Sequence, residues 1–203
     1  MKRFFGLTFG VLYLCGFLGC APAPQSTLKT SGEEQVDKKI VIGSGKRSKR
    51  GVYYPTGKNI CGVINSNSNY KIVCESVATQ GSVDNIKKVL SGKVQFGIAQ
   101  SDIQSDAWEG LGKWRSKGPQ KKLRSVLGLH DEPSFAAKAT LITSSDVPDD
   151  LVYVLTKLIF ENFEEFKNLH KAYDTITKEN MLQGLTAPVH PGAIKYYKEI
   201  GLY

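Results

Sequence analysis

Ile40-Val41-Ile42-Gly43-Ser44-Gly45, then Lys46-Arg47-Ser48-Lys49-Arg50, then Gly51-Val52-Tyr53-Tyr54-Pro55-Thr56-Gly57 is the stretch whose reading decides the fold. Residues 40–42 are a short apolar run that stops at two glycines, the pattern of a buried strand emptying into a loop. Pro55 suits the first turn of a helix, where its missing N–H costs nothing. That helix is expected to run to about Ser66 with Ile60, Cys61 and Ile64 on one face. A strand, a loop and a helix N-terminus give an anion a place to sit, because free N–H groups and the positive dipole end point the same way. Tyr53 and Tyr54 add flat surface and hydroxyl donors at that mouth.

Beyond this unit the same rhythm repeats. A turn-rich break at residues 65–69 leads to a strand over 71–75. The loop Thr79-Gln80-Gly81-Ser82 opens a helix that Ser82 can cap, with Val83, Ile86 and Leu90 as its apolar stripe. A strand over 94–99 follows, then Gln100-Ser101-Asp102 opens another helix, with Ser101 as cap. Short β-α-β-α-β-α spacing argues for an α/β fold, a mainly parallel sheet flanked by helices. In such sheets ligands lie beyond the carboxyl ends of the strands, where the three loops converge. Further strands are expected over 123–129 and 138–143. Leu151, Val154, Leu155, Leu158 and Ile159 fit the helical template most clearly. Phe163, Phe166 and Leu169 mark a short helix, Met181, Leu182 and Leu185 another, and Ile194, Tyr197 and Ile200 a last one. Trp108 and Trp114 read as packing under a loop.

The chain has 203 residues, 41% hydrophobic and 23% charged, which fits a globular protein with a real core. Its formal net charge of +8 would suit anionic ligands or surfaces. At the N-terminus Lys2 and Arg3 precede an apolar run over 4–18, the shape of a secretory signal peptide over 1–19. Phe17-Leu18-Gly19-Cys20 resembles a bacterial lipobox, so Cys20 is expected to carry acyl chains that anchor the protein to a membrane. Residues 20–37 then form a flexible tether, placing the body, 38–203, in the periplasm or at the cell surface. Cys61 and Cys74 remain in an oxidising compartment, either bridged or as buried free thiols. They make no zinc pattern with His130, His170 and His190.

Catalytic and cofactor motifs do not assemble. Ile40 stands where a nucleotide-binding loop ending at Gly45-Lys46 needs glycine, and Arg47 stands where it needs Ser or Thr. No Gly-x-Ser-x-Gly elbow occurs. The basic run over 46–50 lacks interleaved aromatics, and a secreted protein is kept from nucleic acid. No enzyme activity, cofactor, metal or nucleic-acid partner is expected.

The stretches 51–57, Glu75-Ser-Val-Ala-Thr-Gln-Gly-Ser-Val-Asp-Asn85 and Gly92-Lys-Val-Gln-Phe-Gly-Ile-Ala-Gln-Ser-Asp102 resemble the TAXI-type solute-binding proteins, extracytoplasmic receptors of TRAP transporters. The stretches over 122–133, 138–151 and 187–197 resemble them too. The resemblance implies a small organic acid ligand, a dicarboxylate or acidic amino acid, and a TRAP membrane subunit as partner. It places ligand contacts at Tyr53, Tyr54, Gln80, Gly81, Ser82, Gln100, Ser101 and Asp102. Two departures stand out. The family's glycine-rich first loop is here the basic run over 46–50. Family members are two-lobed clamshells of the type II periplasmic-binding-protein kind, whereas here the outgoing segment, 38–133, meets the returning segment, 138–203, almost directly. One lobe with a weakened or lost site is therefore expected. A surface lipoprotein using that lobe as a protein-interaction scaffold, with a homodimer through an exposed apolar patch, is the alternative.

Overall fold

The computed structural model describes residues 38–48, 51–67, 69–132 and 137–203. The leader, Cys20, the tether and the basic pair Lys49 and Arg50 lie outside the described residues. In chain order the elements are β1 (Lys38–Gly45), α1 (Tyr53–Asn67), β2 (Ile72–Ala78), α2 (Ser82–Leu90), β3 (Phe96–Gln100) and α3 (Ser101–Glu109). Then come β4 (Leu123–Glu132), β5 (Ala137–Ser144), α4 (Asp149–Glu161), α5 (Phe163–Lys167) and α6 (Pro191–Glu199). Single 3-10 turns occur at Gly112–Trp114, Lys171–Tyr173 and Asn180–Leu182.

The strands form one sheet in the order β2-β1-β3-β5-β4. β1 is parallel to both β2 and β3, while β5 is antiparallel to both β3 and β4. Four strands thus point one way and β5 alone runs against them. The β-α-β rhythm holds through β4 and breaks at β5. The link from Glu132 to Ala137 is too short for a crossover, and a hairpin is the connection that so few residues can make.

Alternation along the strands sorts the core to the two faces. Ile40 and Ile42 of β1, Phe96 and Ile98 of β3, and Leu141 of β5 pack with α1, α4 and α6. On the other face Ala99 and Ile142 pack with Ile86 and Val89 of α2, Ala107 of α3 and Trp114. A disulfide joins Cys61 on α1 to Cys74 on β2, Cα atoms 4.9 Å apart, and decides between the two states open from sequence.

Several boundaries move. α1 ends at Asn67, one residue past the expected Ser66, although residues 65–69 are turn-rich in composition. Asn65 explains this: its side chain accepts from the Cys74 N–H (2.8 Å) and donates to the Cys74 carbonyl (3.0 Å), pinning the last turn to β2. The helix expected around Met181 is one 3-10 turn, with Met181 buried beneath it. On α6 the buried face is Ala193, Tyr196 and Tyr197, and Ile200 is exposed. Gly192 sets that rotation. A Cβ there would lie 2.1 Å from the Asp149 carbonyl, so α6 meets α4 backbone to backbone. Leu169 is likewise exposed, one residue beyond the cap of α5.

Candidate functional site

Gly45, Ala78, Gln100 and Glu132 end the four like-directed strands, so the loops that follow share one rim. The rim is held by side chains bonded to backbone. Buried Asn85 of α2 donates to the Ser44 carbonyl (3.2 Å) and the Ile98 carbonyl (2.7 Å), bridging β1 to β3. Gly43 leaves room for it; a Cβ there would sit 2.8 Å from Asn85 Oδ1. Ser82 Oγ accepts from the Gln100 N–H (3.1 Å), and Ser101 Oγ accepts from the Lys138 N–H (3.0 Å).

These bonds correct the capping expectation. Ser82 and Ser101 are the first residues of α2 and α3, not their caps; Gly81 and Gln100 take the cap positions, and neither makes a side-chain cap bond. Ahead of α2 the loop N–H groups bond to nearby side chains. Gln80 N–H donates to Asp84 Oδ2 (3.0 Å) and Gly81 N–H to Thr79 Oγ1 (3.3 Å). The hydrogen bond from Lys88, then that from Gln80, hold the Asp84 carboxyl below its ordinary range. Gly81 sits at φ 100°, a conformation that side chains rarely adopt.

Between these loops lies a depression of ≈ 350 Å³, lined by Gly45, Lys46, Tyr53, Gln80, Gly81 and Gln100 among others. Ligand pockets span about 300–1,000 Å³, so the space suits a small molecule. Its lining offers the Lys46 ammonium, two side-chain amides and the Ser48 hydroxyl, and no described acidic side chain. That donor set is matched to an anion. A second hollow of ≈ 420 Å³, lined by Lys46, Arg47, Ala78, Thr79 and Gln80, shares two residues with it.

Of the eight contacts named from sequence, Tyr53, Gln80, Gly81 and Gln100 line the depression. Tyr54 instead lies under the Arg47 guanidinium, 5.1 Å from ring centroid to Cζ. Ser82 and Ser101 spend their oxygens on backbone N–H groups. Asp102 is exposed, and its carboxylate accepts from the Ile103 N–H (2.8 Å). Sequence pattern does not mark Asn85 or His130. Asn85 sits on the Ile86 and Val89 face of α2, where an amide interrupts an apolar stripe, and that interruption is the available signal. His130 is buried at the end of β4, its ring 6.0 Å from that of Tyr53 and 6.2 Å from that of Tyr173.

Among the described residues no group of three or more His, Cys, Asp or Glu side chains could hold a metal. No described helix is long and apolar enough to cross a membrane.

Fold and strand order together are those of a single α/β lobe of the periplasmic-binding-protein kind. Comparison with known families matches the NMT1-like family over residues 43–138 and again over 130–201. The chain belongs to this family, whose members are periplasmic-binding-protein-like, generally non-catalytic and related to the TAXI and TRAP binding proteins.

Proposed function

We propose that this chain is an extracytoplasmic receptor for a small organic acid, a dicarboxylate or acidic amino acid, serving a TRAP-type membrane subunit. The observation that carries the reading is the meeting of Lys46, Tyr53, Gln80, Gly81 and Gln100 around one acid-free depression at the strand ends. Family membership supports it. The family match arrives in two pieces that overlap over 130–138, where β4 turns into β5. That supports a site whose opposing lobe is not encoded between them. The disulfide supports an oxidising compartment, in keeping with the leader and the lipidated Cys20 expected from sequence.

Binding by one wall is weak. An enclosed ligand has about 70–90% of its surface buried. Two lost hydrogen bonds to a charged ligand, at roughly 1.5–3 kcal/mol each, weaken affinity at least a hundredfold. Isothermal titration with C4–C5 acids is expected to give millimolar binding with a small ligand-dependent rise in melting temperature. Micromolar or tighter binding by the monomer would overturn the one-wall account. No heat and no melting shift at saturating acid would overturn the receptor role.

The scaffold reading calls for an exposed apolar patch on this rim. Among the described residues the exposed large apolar side chains are Tyr70, Val73, Leu111, Leu169, Ile200 and Tyr203, and none belongs to the described parts of the loops that follow the strand ends.

A further inference from the structure

We propose that the hollow on the β2 side of Lys46 is a second anion subsite, in which Arg47 takes one carboxylate of a bound acid while the depression takes the other. Such a subsite rests on the receptor reading above and narrows it to acids that carry two negative groups.

β1 lies between β2 and β3, so the loop that leaves it has a crevice on each side. The depression opens toward β3 and reaches Gln100. The hollow opens toward β2, against Ala78 and Thr79. Lys46 and Gln80 line both and stand at the boundary, whereas Arg47 and Thr79 line the hollow and not the depression.

Charge in the hollow is unbalanced. Lysines elsewhere around the sheet have acids of their own: Lys39 pairs with Glu75 (2.9 Å) and Lys122 with Asp146 (2.9 Å). Among the described residues no acid pairs with Lys46 or Arg47, and none lines the hollow. Asp84, which accepts from the Gln80 N–H at the hollow's edge, is also held by the Lys88 ammonium. The backbone at the start of α2 has little to offer an anion, because the Gln80 and Gly81 N–H groups are spent on Asp84 and Thr79. Recognition therefore falls to side chains. The Thr79 hydroxyl accepts from Gly81 and keeps its own proton to donate. Arg47 is exposed and lies over the Tyr54 ring, Cζ 5.1 Å from the centroid. A ring against the guanidinium face leaves its in-plane N–H groups, which can grip a carboxylate through two parallel bonds.

Spacing fits the pairing of the two spaces. Adjacent strands stand about 4.8 Å apart, so crevices flanking one strand are separated by a distance of that order. An extended five-carbon diacid sets its carboxyl carbons roughly 5 Å apart, four bonds of about 1.5 Å in a zigzag. One carboxylate then lies in each crevice, with the Lys46 ammonium between them. A mono-acid of the same length fills the depression and leaves Arg47 to water.

Isothermal titration of the full chain in detergent, with glutarate and pentanoate as probes, tests the subsite. The two acids share a five-carbon chain and differ by one carboxylate. Glutarate is expected to bind about tenfold more tightly. Arg47→Gln is expected to weaken glutarate about tenfold and pentanoate less than about twofold. Lys58→Gln controls for the loss of charge alone. Lys58 is exposed on α1 and lines neither space, so its removal should leave the ratio of the two affinities as it was. Equal affinity for the two acids would overturn the subsite and keep the receptor. So would an Arg47→Gln penalty that falls on both acids alike or that Lys58→Gln reproduces. Binding of neither acid would remove the receptor role, and the subsite with it.

Discussion

Gly192 and His190 show how much rests on single positions. A Cβ at Gly192 would meet the Asp149 carbonyl at 2.1 Å, and backbone cannot step aside as a flexible side chain can. Gly192→Ala is expected to cost at least the upper end of the roughly 1–3 kcal/mol of an overpacked core, read as a lower urea midpoint. Two residues earlier, buried His190 caps α6 by accepting the Gly192 N–H on Nδ1 (3.2 Å). Burial lowers its pKa, opposed by the Asp149 carboxylate 3.6 Å away. The folded state therefore takes up its proton less readily than the unfolded chain, whose histidine titrates near about 6.5. Stability from this group is full above that pH and is lost as pH falls below it. Urea midpoints at pH 7.5, 6.5 and 5.5 should decline, and His190→Asn, which can still cap, should flatten that decline. At the rim, Lys46→Ala is expected to weaken acid binding about tenfold or more by titration, the loss of one charged contact.

At the level of elements, the disulfide is the clearest lever. It ties the edge strand β2 to α1 across a separation of 13 residues. Closing a loop of that order stabilises by about 3 kcal/mol. C61A/C74A should lower the melting temperature by roughly 6–12 °C, at about 2–4 °C per kcal/mol for a chain this size. A strong reductant should do the same to the unmodified chain and nothing to the variant. What could be read beforehand divides along the same lines. β1, α1 and α4 were legible because apolar residues recur at the right period and the turn residues sit at their ends. Where long-range bonds decide, pattern was silent or misleading. Asn65 looks like a turn residue until β2 is beside it. Ser82 and Ser101 look like caps until the Gln100 and Lys138 N–H groups approach them. The rotation of α6 depends on a contact with α4 more than 40 residues away in sequence. The rim loops were named correctly as neighbours because parallel strands bring their ends together. Which side chains face the depression depends on rotamers, and periodicity carries no such information.

For the molecule as a whole, the hairpin joining β4 to β5 separates the two halves of the chain. If another lobe belongs between these strands elsewhere in the family, the sheet should tolerate a longer link. Inserting eight Gly and Ser residues after Glu132 triples that link, and the closure entropy rises by about 1 kcal/mol. Urea unfolding should report no larger loss; a loss several times greater would show that the short connection itself holds the strands in register. The order β2-β1-β3-β5-β4 has one more consequence, for how the protein is made. β5 is the last strand synthesised, yet it lies inside the sheet, between two earlier ones. A nascent chain that stops at Glu132 has three strands assembled and a fourth with nothing to lie against. Premature stop codons between Glu132 and Ala137 therefore leave a gap inside the sheet, not a trimmed edge, and such truncated products belong to the cell's proteases.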